Sequence, residues 1–343
     1  MPNYAILANP GHNRIYLDAA LPIAQQELQA MCAAVGSPIL GFEPPLAGLP
    51  ASLCFRTETP LSEPALAAMA AASIYYALFE VLDGGLLKPV VVPDIYTFPP
   101  GMSQILKYVG KTNEQFTRLM INLGLAACGT GSERIRLVDP MCGKGTTLYE
   151  GMVRGFDVEG IEINGKWVQE IQAYMVRYLK MGKYKHKVTK SRRNGPDGKK
   201  VADSFVLDTA ANKADYAAGN TQSFKLYSGD TRQANLLLKR NSCDLLVSDL
   251  PYGVQHGNKN AKDSKLERSA LGLLEQALPA WHHGLKPKGA LVISFNEFTM
   301  KWQEVAPLLD QAGFEVGAEA PFTGYLHRVD QSINRNLIVA TKR

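Results

Sequence analysis

The sequence predicts an α/β chain in which a doubly wound, mostly parallel sheet follows a small α+β unit. Three observations predict it. From about Gly110 onward, short apolar segments alternate with helix-length amphipathic ones, the pattern of parallel strands joined by crossover helices. A glycine-rich turn, Val138-Asp139-Pro140-Met141-Cys142-Gly143-Lys144-Gly145-Thr146, joins the first of these strands to a helix. A second turn, Ser248-Asp249-Leu250-Pro251-Tyr252-Gly253, leaves the apolar run 244–247, and open α/β sheets bind ligands at the carboxyl ends of their strands.

In chain order, 14–18 reads as a strand, 21–34 as an amphipathic helix, 52–56 as a strand and 63–82 as a helix. Together they make residues 1–95 a small α+β domain. The proline-rich stretch that follows predicts a linker over 96–109. Within 110–343, helices are expected at 116–127, 146–154, 166–179, 266–285 and 300–312. Strands are expected at 134–138, 158–163, 224–227, 245–248, 290–295, 314–316 and 336–341. The last two strands have no helix between them and should form an antiparallel pair at the sheet edge. One insertion, 183–222, breaks the alternation. It holds Lys183, Lys185, Lys187, Lys190, Arg192, Arg193, Lys199 and Lys200 around the turn signal Asn194-Gly195-Pro196-Asp197-Gly198. It reads either as a solvated hairpin or loop, or as an arm for nucleic-acid phosphates.

Composition narrows the classes of function. Apolar residues make up 46% and charged residues 20%, ordinary values for a soluble globular protein. The net charge of +5 permits a nucleic-acid partner without requiring one. Five cysteines lack zinc-finger or redox-motif spacing and the six histidines are scattered, so no metal is expected and a reducing compartment fits. The start, Met1-Pro2-Asn3-Tyr4-Ala5, carries no secretory pattern, and a cytoplasmic location is expected. The longest uncharged run, 64–79, is shorter than the roughly 20 strongly apolar residues a membrane span needs.

The first turn suits a nucleoside. Gly143 and Gly145 let the backbone approach a ligand closely. Glu162, with its neighbour Ile163, ends the next strand, where a carboxylate takes both hydroxyls of a ribose. The dinucleotide fingerprint is not met, because Leu148 stands at its third small position. The triplet Gly110-Lys111-Thr112 mimics the end of a P-loop, but Ile105 replaces the required glycine. Asp139 at the mouth repels phosphates and welcomes an amine or sulfonium. S-adenosylmethionine combines both with a ribose and an adenine and has no phosphate. Asp230, followed by Thr231, ends the expected third strand, where it either accepts the adenine amine or caps the next helix.

These motifs, in this order, resemble the class I methyltransferases that use S-adenosylmethionine to methylate amino groups. They are most similar to the tRNA guanosine N2-methyltransferases that usually carry a THUMP domain. The residues carrying the resemblance are Asp139-Pro140-Met141-Cys142-Gly143, Ser248-Asp249-Leu250-Pro251-Tyr252-Gly253 and the earlier segment 110–118. The resemblance covers about 110–343, and no THUMP domain is recognisable in the remaining length. It implies a Rossmann-like, seven-stranded sheet with an antiparallel last strand. It implies a cofactor site of Lys111, Thr112, Asp139, Pro140, Cys142, Gly143, Gly145, Thr146, Glu162, Ile163, Asp230 and Thr231. It also implies catalysis by Asp249, Leu250, Pro251 and Tyr252. Leu250 departs from the family's Asp-Pro-Pro-Tyr, at a position that contributes chiefly a backbone carbonyl.

The function expected is methyl transfer to an exocyclic nucleobase amine, guanosine N2 in tRNA, with nucleic acid as partner and no membrane. DNA adenine-N6 methylation is the alternative within the enzyme class. A non-catalytic nucleic-acid-binding protein on the same scaffold is the alternative outside it. Asn296 is a candidate to line the base pocket and His256 to touch substrate, and His327 and Arg328 read either as facing the nucleic acid or as part of a surface loop.

Overall fold

A computed structural model describes residues 1–10, 14–105, 111–252 and 270–343, with the backbone alone at 14–19. Two sheets organise the chain. The first is entirely antiparallel and comprises β1 (Asn3–Ala8), β2 (Ile39–Glu43), β3 (Ser52–Thr57), β4 (Tyr75–Val81) and β5 (Leu87–Pro89). Their spatial order is β2-β3-β1-β4-β5. Helices α1 (Arg14–Ala34) and α2 (Glu63–Ala71) accompany it.

Two expectations in this front unit are corrected. The stretch 14–18 is helical, the first turns of α1. Alternation over five residues does not define a strand when the following segment is already helical, because each added residue extends a nucleated helix at little cost. The predicted helix 63–82 stops at Ala71. Ser62 caps its start, its hydroxyl accepting from the Ala65 amide at 3.4 Å. Beyond Ala72 the aromatic and branched run of β4 pairs with the central strand β1 instead, where such side chains fit a pleated surface.

After α3 (Gly101–Gln104) comes α4 (Glu114–Ala127), and then strand and helix alternate: β6 (Arg136–Asp139), α5 (Thr146–Val153), β7 (Asp157–Glu162), α6 (Gly165–Met181). The insertion follows as β8 (His186–Asn194), β9 (Lys200–Thr209) and α7 (Lys213–Ala218). The alternation resumes with β10 (Gln222–Ser228), α8 (Ala234–Leu237), β11 (Cys243–Asp249), α9 (Ala270–Gly284), β12 (Leu285–Asn296) and α10 (Trp302–Gln311). The chain closes with β13 (Phe314–Val316), β14 (His327–Arg328) and β15 (Asn334–Lys342).

The second sheet runs β13-β15-β12-β11-β6-β7-β10-β9-β8, with β14 on β15. Strands β10, β7, β6, β11 and β12 are parallel. β15 inserts antiparallel between β12 and β13, as the missing helix between the last two main strands predicts. The expected seven strands are present, and the sheet is wider than seven because the insertion is a hairpin hydrogen-bonded to β10. Strand order reverses between β6 and β11, so the crevice at their carboxyl ends is the topological switch point.

Apolar packing joins the two sheets. A single buried cluster contains Ile6, Leu28 and Phe55 of the front unit together with Phe116, Leu119, Leu137 and Val158. Among the described residues, no helix is long and apolar enough to cross a membrane.

Candidate active site

Asp139 and Asp249 end the two strands that flank the switch point. Ser248 ties them together, its hydroxyl donating to Asp139 Oδ1 at 2.8 Å. Asp139 is 3% exposed and also accepts from the Met141 amide and the Thr147 side chain. Burial raises its pKa to about 6, against the lowering effect of those hydrogen bonds.

The glycine-rich turn is built against β7. The Cys142 amide donates to the Ile161 carbonyl at 3.0 Å, and the Gly145 amide to the Cys142 carbonyl at 2.7 Å. Gly143 and Gly145 have φ of +53° and +88°, the left-handed region that favours glycine. Gly145 is the residue before α5, and Thr146 opens that helix, buried like Pro140 and Cys142. Glu162 closes the turn from the side. Its carboxylate accepts from the Gly143 amide at 2.9 Å and the Asn164 amide at 2.7 Å. Burial raises its pKa to about 7. Ile163 beside it is 53% exposed, an apolar side chain left open at the mouth.

Asp249 lies in register with Ser294 of β12. Its Oδ1 accepts from the hydroxyls of Ser294 and Tyr252, and its Oδ2 from the Thr112 hydroxyl at 2.6 Å. Three hydroxyls from three separate parts of the chain therefore converge on one carboxylate. Tyr252 accepts in turn from Arg335 Nε at 2.6 Å, and the Arg335 guanidinium lies 4.4 Å from the Phe116 ring centroid and 5.2 Å from that of Tyr252. The desolvated Tyr252 phenol, beside Asp249, is pushed well above its ordinary pKa. Pro251 sits half-buried before it. Leu250 is buried in the apolar core, and its amide donates to the Ser294 carbonyl at 2.9 Å. The departure from proline thus places its side chain in packing.

Other candidates are differently engaged. Lys111 donates to the Ser103 carbonyl at 2.7 Å and pairs with Glu114 at 3.4 Å, one residue from Thr112. Asp230 caps a short 3-10 turn through the Arg232 amide and pairs with the Arg232 guanidinium at 2.6 Å. The Thr231 hydroxyl accepts from the buried Trp281 indole at 2.8 Å. Asn296 is 3% exposed, and its side chain bonds Phe298, Ser332 and Asn334. His327 lies in β14 rather than in a surface loop. It is buried, bonded to the Tyr325 carbonyl and packed 5.3 Å from the Phe116 ring centroid, and burial lowers its pKa to about 4. Arg328 is exposed and bonds the Asp330 carbonyl. Gly110, Gly253 and His256 lie outside the described residues.

Sequence reasoning missed Ser294 and Arg335. A lone serine inside the apolar run 290–295 was the available signal for the first. Arg335 had no local signal, since only the β15–β12 pairing brings it to Tyr252.

Five parallel strands with this order, an antiparallel strand inserted at one edge, and a glycine turn facing two strand-end carboxylates define a class I S-adenosylmethionine-dependent methyltransferase fold. Residues 113–297 match the family described as UPF0020: RMKL-like, methyltransferase domain, and the chain belongs to that family. No curated protein matches the chain at a significant level. Among solved structures, the chain is similar to a TehB-like SAM-dependent methyltransferase from Corynebacterium glutamicum, with 16% identity, TM-score 0.35, and 62% of this chain and 83% of that one covered. It is similar to TrmN from Thermus thermophilus, with 13% identity, TM-score 0.37 and 85% of this chain covered, although it spans only 57% of that protein. A putative methyltransferase from Streptococcus mutans in complex with SAH gives 11% identity, TM-score 0.34 and coverages of 62% and 90%. Likenesses at this level say nothing about substrate.

Proposed function

We propose that this chain uses S-adenosylmethionine to methylate an exocyclic nucleobase amine in RNA, with guanosine N2 in tRNA as the best-fitting target. The observation that carries the reading is Asp249, a half-buried carboxylate at the switch point, held by hydroxyl donors and followed three residues later by an aromatic ring.

The residues present fit the cofactor. The positive-φ turn at Gly143 and Gly145 leaves room for close backbone approach. Glu162 keeps acceptor capacity for a ribose beyond its two amide bonds. Ile163 presents an apolar face for adenine. Asp139 supplies negative charge for an amine. Pro140, Cys142 and Thr146 shape the turn, and in this reading Asp230, Thr231, Lys111 and Thr112 complete the cofactor site. The cofactor, when bound, supplies a methyl group activated by a sulfonium.

The chain's own groups then do three things. Asp249 exchanges the Tyr252 and Thr112 hydroxyls for one N–H of the base amine, while the Leu250 carbonyl accepts the other. This biases the nitrogen lone pair toward the methyl, and Asp249 takes the released proton. Tyr252, freed from Asp249, stacks on the flipped base, a contact worth about 1–3 kcal/mol. Orientation of the two reactants supplies on the order of 7–11 kcal/mol. In this reading residues 1–95 form a unit that buttresses α4 behind the Thr112 segment.

The test is methyl transfer from labelled S-adenosylmethionine to unmodified tRNA, ribosomal RNA and duplex DNA in parallel, with products digested and identified by mass spectrometry. N2-methylguanosine from tRNA is expected, and Asp249→Ala should abolish turnover while cofactor binding persists. N6-methyladenine from DNA would overturn the substrate, and near-normal activity of Asp249→Ala would overturn the assignment of Asp249.

A further inference from the structure

The charge of this protein is not spread over its surface. Residues 177–200 hold ten lysines and arginines against the single acid Asp197, a local net of +9 in a chain whose total is +5, so the remainder is net negative. The fold gathers this charge on the carboxyl-terminal half of α6 and on the β8–β9 hairpin. All of β8 after His186 is exposed. Lys183, Lys185, Lys187, Lys190 and Arg192 make no ion pair among the described residues, unlike Lys199 and Lys200, which pair with Asp197 and Asp203. Between α6 and the hairpin runs a groove of about 510 Å³, lined by Arg177, Lys180 and Lys190 around Val188, Met181 and Phe205. The Lys190 ammonium lies 5.8 Å from the Phe205 ring centroid.

Strand register places this surface relative to the site. Arg192, Asp203, Ser228 and Glu162 form one row across β8, β9, β10 and β7. The hairpin from Arg193 to Ala202 therefore projects past the row, beyond the strand ends where Glu162 and Ile163 open. Five strand spacings separate β8 from β11, so the arm stands about 24 Å from Asp249. Lysine on an edge strand also discourages edge-to-edge pairing. That need ends at β8, however, and does not account for the same sign of charge on α6 and at the hairpin tip.

We infer that the β8–β9 hairpin and the adjoining face of α6 form a phosphate-tracking arm that holds the RNA substrate while a nucleotide is presented to Asp249. This rests on the RNA reading above and adds where the polyanion lies. Contacts of this kind fix position and orientation rather than sequence. The experiment measures binding of an unmodified tRNA transcript and of duplex DNA from about 50 to 200 mM salt. It compares the wild-type chain with a hairpin variant (Lys187→Glu, Lys190→Glu, Arg192→Glu) and a helix variant (Arg177→Glu, Lys180→Glu). Each variant should weaken tRNA binding by about tenfold or more and flatten the salt dependence by about one unit of slope for each phosphate no longer neutralised. KM for RNA should rise with kcat largely kept, and S-adenosylmethionine affinity and thermal stability should stay at wild-type values. If both variants bind tRNA with wild-type affinity and slope while methylation persists, the arm is wrong and the methyltransferase reading stands. If the variants lose DNA binding but keep RNA binding, the assignment of the surface to RNA is overturned. A wild-type chain that neither binds nor methylates RNA overturns both readings.

Discussion

Asp139 and Glu162 are acids held partly protonated by their surroundings. Burial is the leading cause for both, opposed by the hydroxyls and amides that bond them. Their folded pKa values of about 6 and about 7 lie above the unfolded carboxylate range. The native state therefore binds more protons than the unfolded chain between about pH 4 and pH 7, and both groups subtract stability progressively as pH rises through that window. Ligand binding has the opposite sign. An amine and a ribose both favour the carboxylate form, so cofactor affinity should rise from about pH 5.5 to about pH 7.5 and then level off, with protons released on binding. Calorimetry in buffers of different ionisation enthalpy measures both. A flat affinity over this range would show that neither carboxylate contacts the cofactor. The carboxylates themselves were legible as strand-end acids beside glycines. Their shifted pKa values were not, because desolvation depends on what the rest of the chain packs over them.

At the scale of elements, the turn that bears the site depends on one close approach. Gly160 lies in the middle of β7 under the glycine-rich turn. A Cβ there would stand 2.6 Å from Leu148 Cδ1 and 2.9 Å from Cys142 Sγ. Gly160→Ala must therefore displace the Leu148 side chain of α5 and the Cys142 side chain of the turn, both buried. It should cost about 1–3 kcal/mol of stability and weaken cofactor binding, read from denaturant midpoints and calorimetry. Unchanged values in both would show that the turn relaxes freely. The positions of α4, α5, β7 and β11 were readable from periodicity, since this signal is local. The break between α2 and β4 was not, because alanine-rich and aromatic segments run together in sequence and only pairing with β1 separates them.

Across the whole molecule, a buried polar network couples the front unit to the site. Glu27 of α1 is fully buried. It accepts from the Ser73 amide at 2.9 Å, from the Ser73 hydroxyl and from Asn122 Nδ2 at 2.6 Å. Asn122 accepts from the half-buried Arg154, and Arg118, whose charge interacts with Glu27, pairs with Glu150 at 3.3 Å. Glu150 accepts from Ser103, whose carbonyl holds Lys111, the neighbour of Thr112. Glu27→Ala would strand several buried donors at about 1–3 kcal/mol each. A destabilisation of about 3–5 kcal/mol in urea unfolding is expected, with the far-ultraviolet signal of both sheets disappearing in one transition because they share a core. A wild-type midpoint would show that the network bears no weight.

By itself the sequence determined the strand–helix alternation of 110–343, the two turns that carry Asp139 and Asp249, and the basic character of the insertion. Each is written in contiguous residues whose periodicity or turn chemistry acts over a few positions. Only the tertiary structure decided that Thr112, Ser294 and Tyr252 meet on one carboxylate, that Arg335 crosses from the last strand to hold Tyr252, and that the basic hairpin joins the sheet in register with Glu162. The Ser294, Arg335 and hairpin contacts come from strand pairing between residues far apart in the chain, and the Thr112 contact from the packing of the segment before α4. Pairing is set by which faces are buried and in what register, and no local window of residues records it.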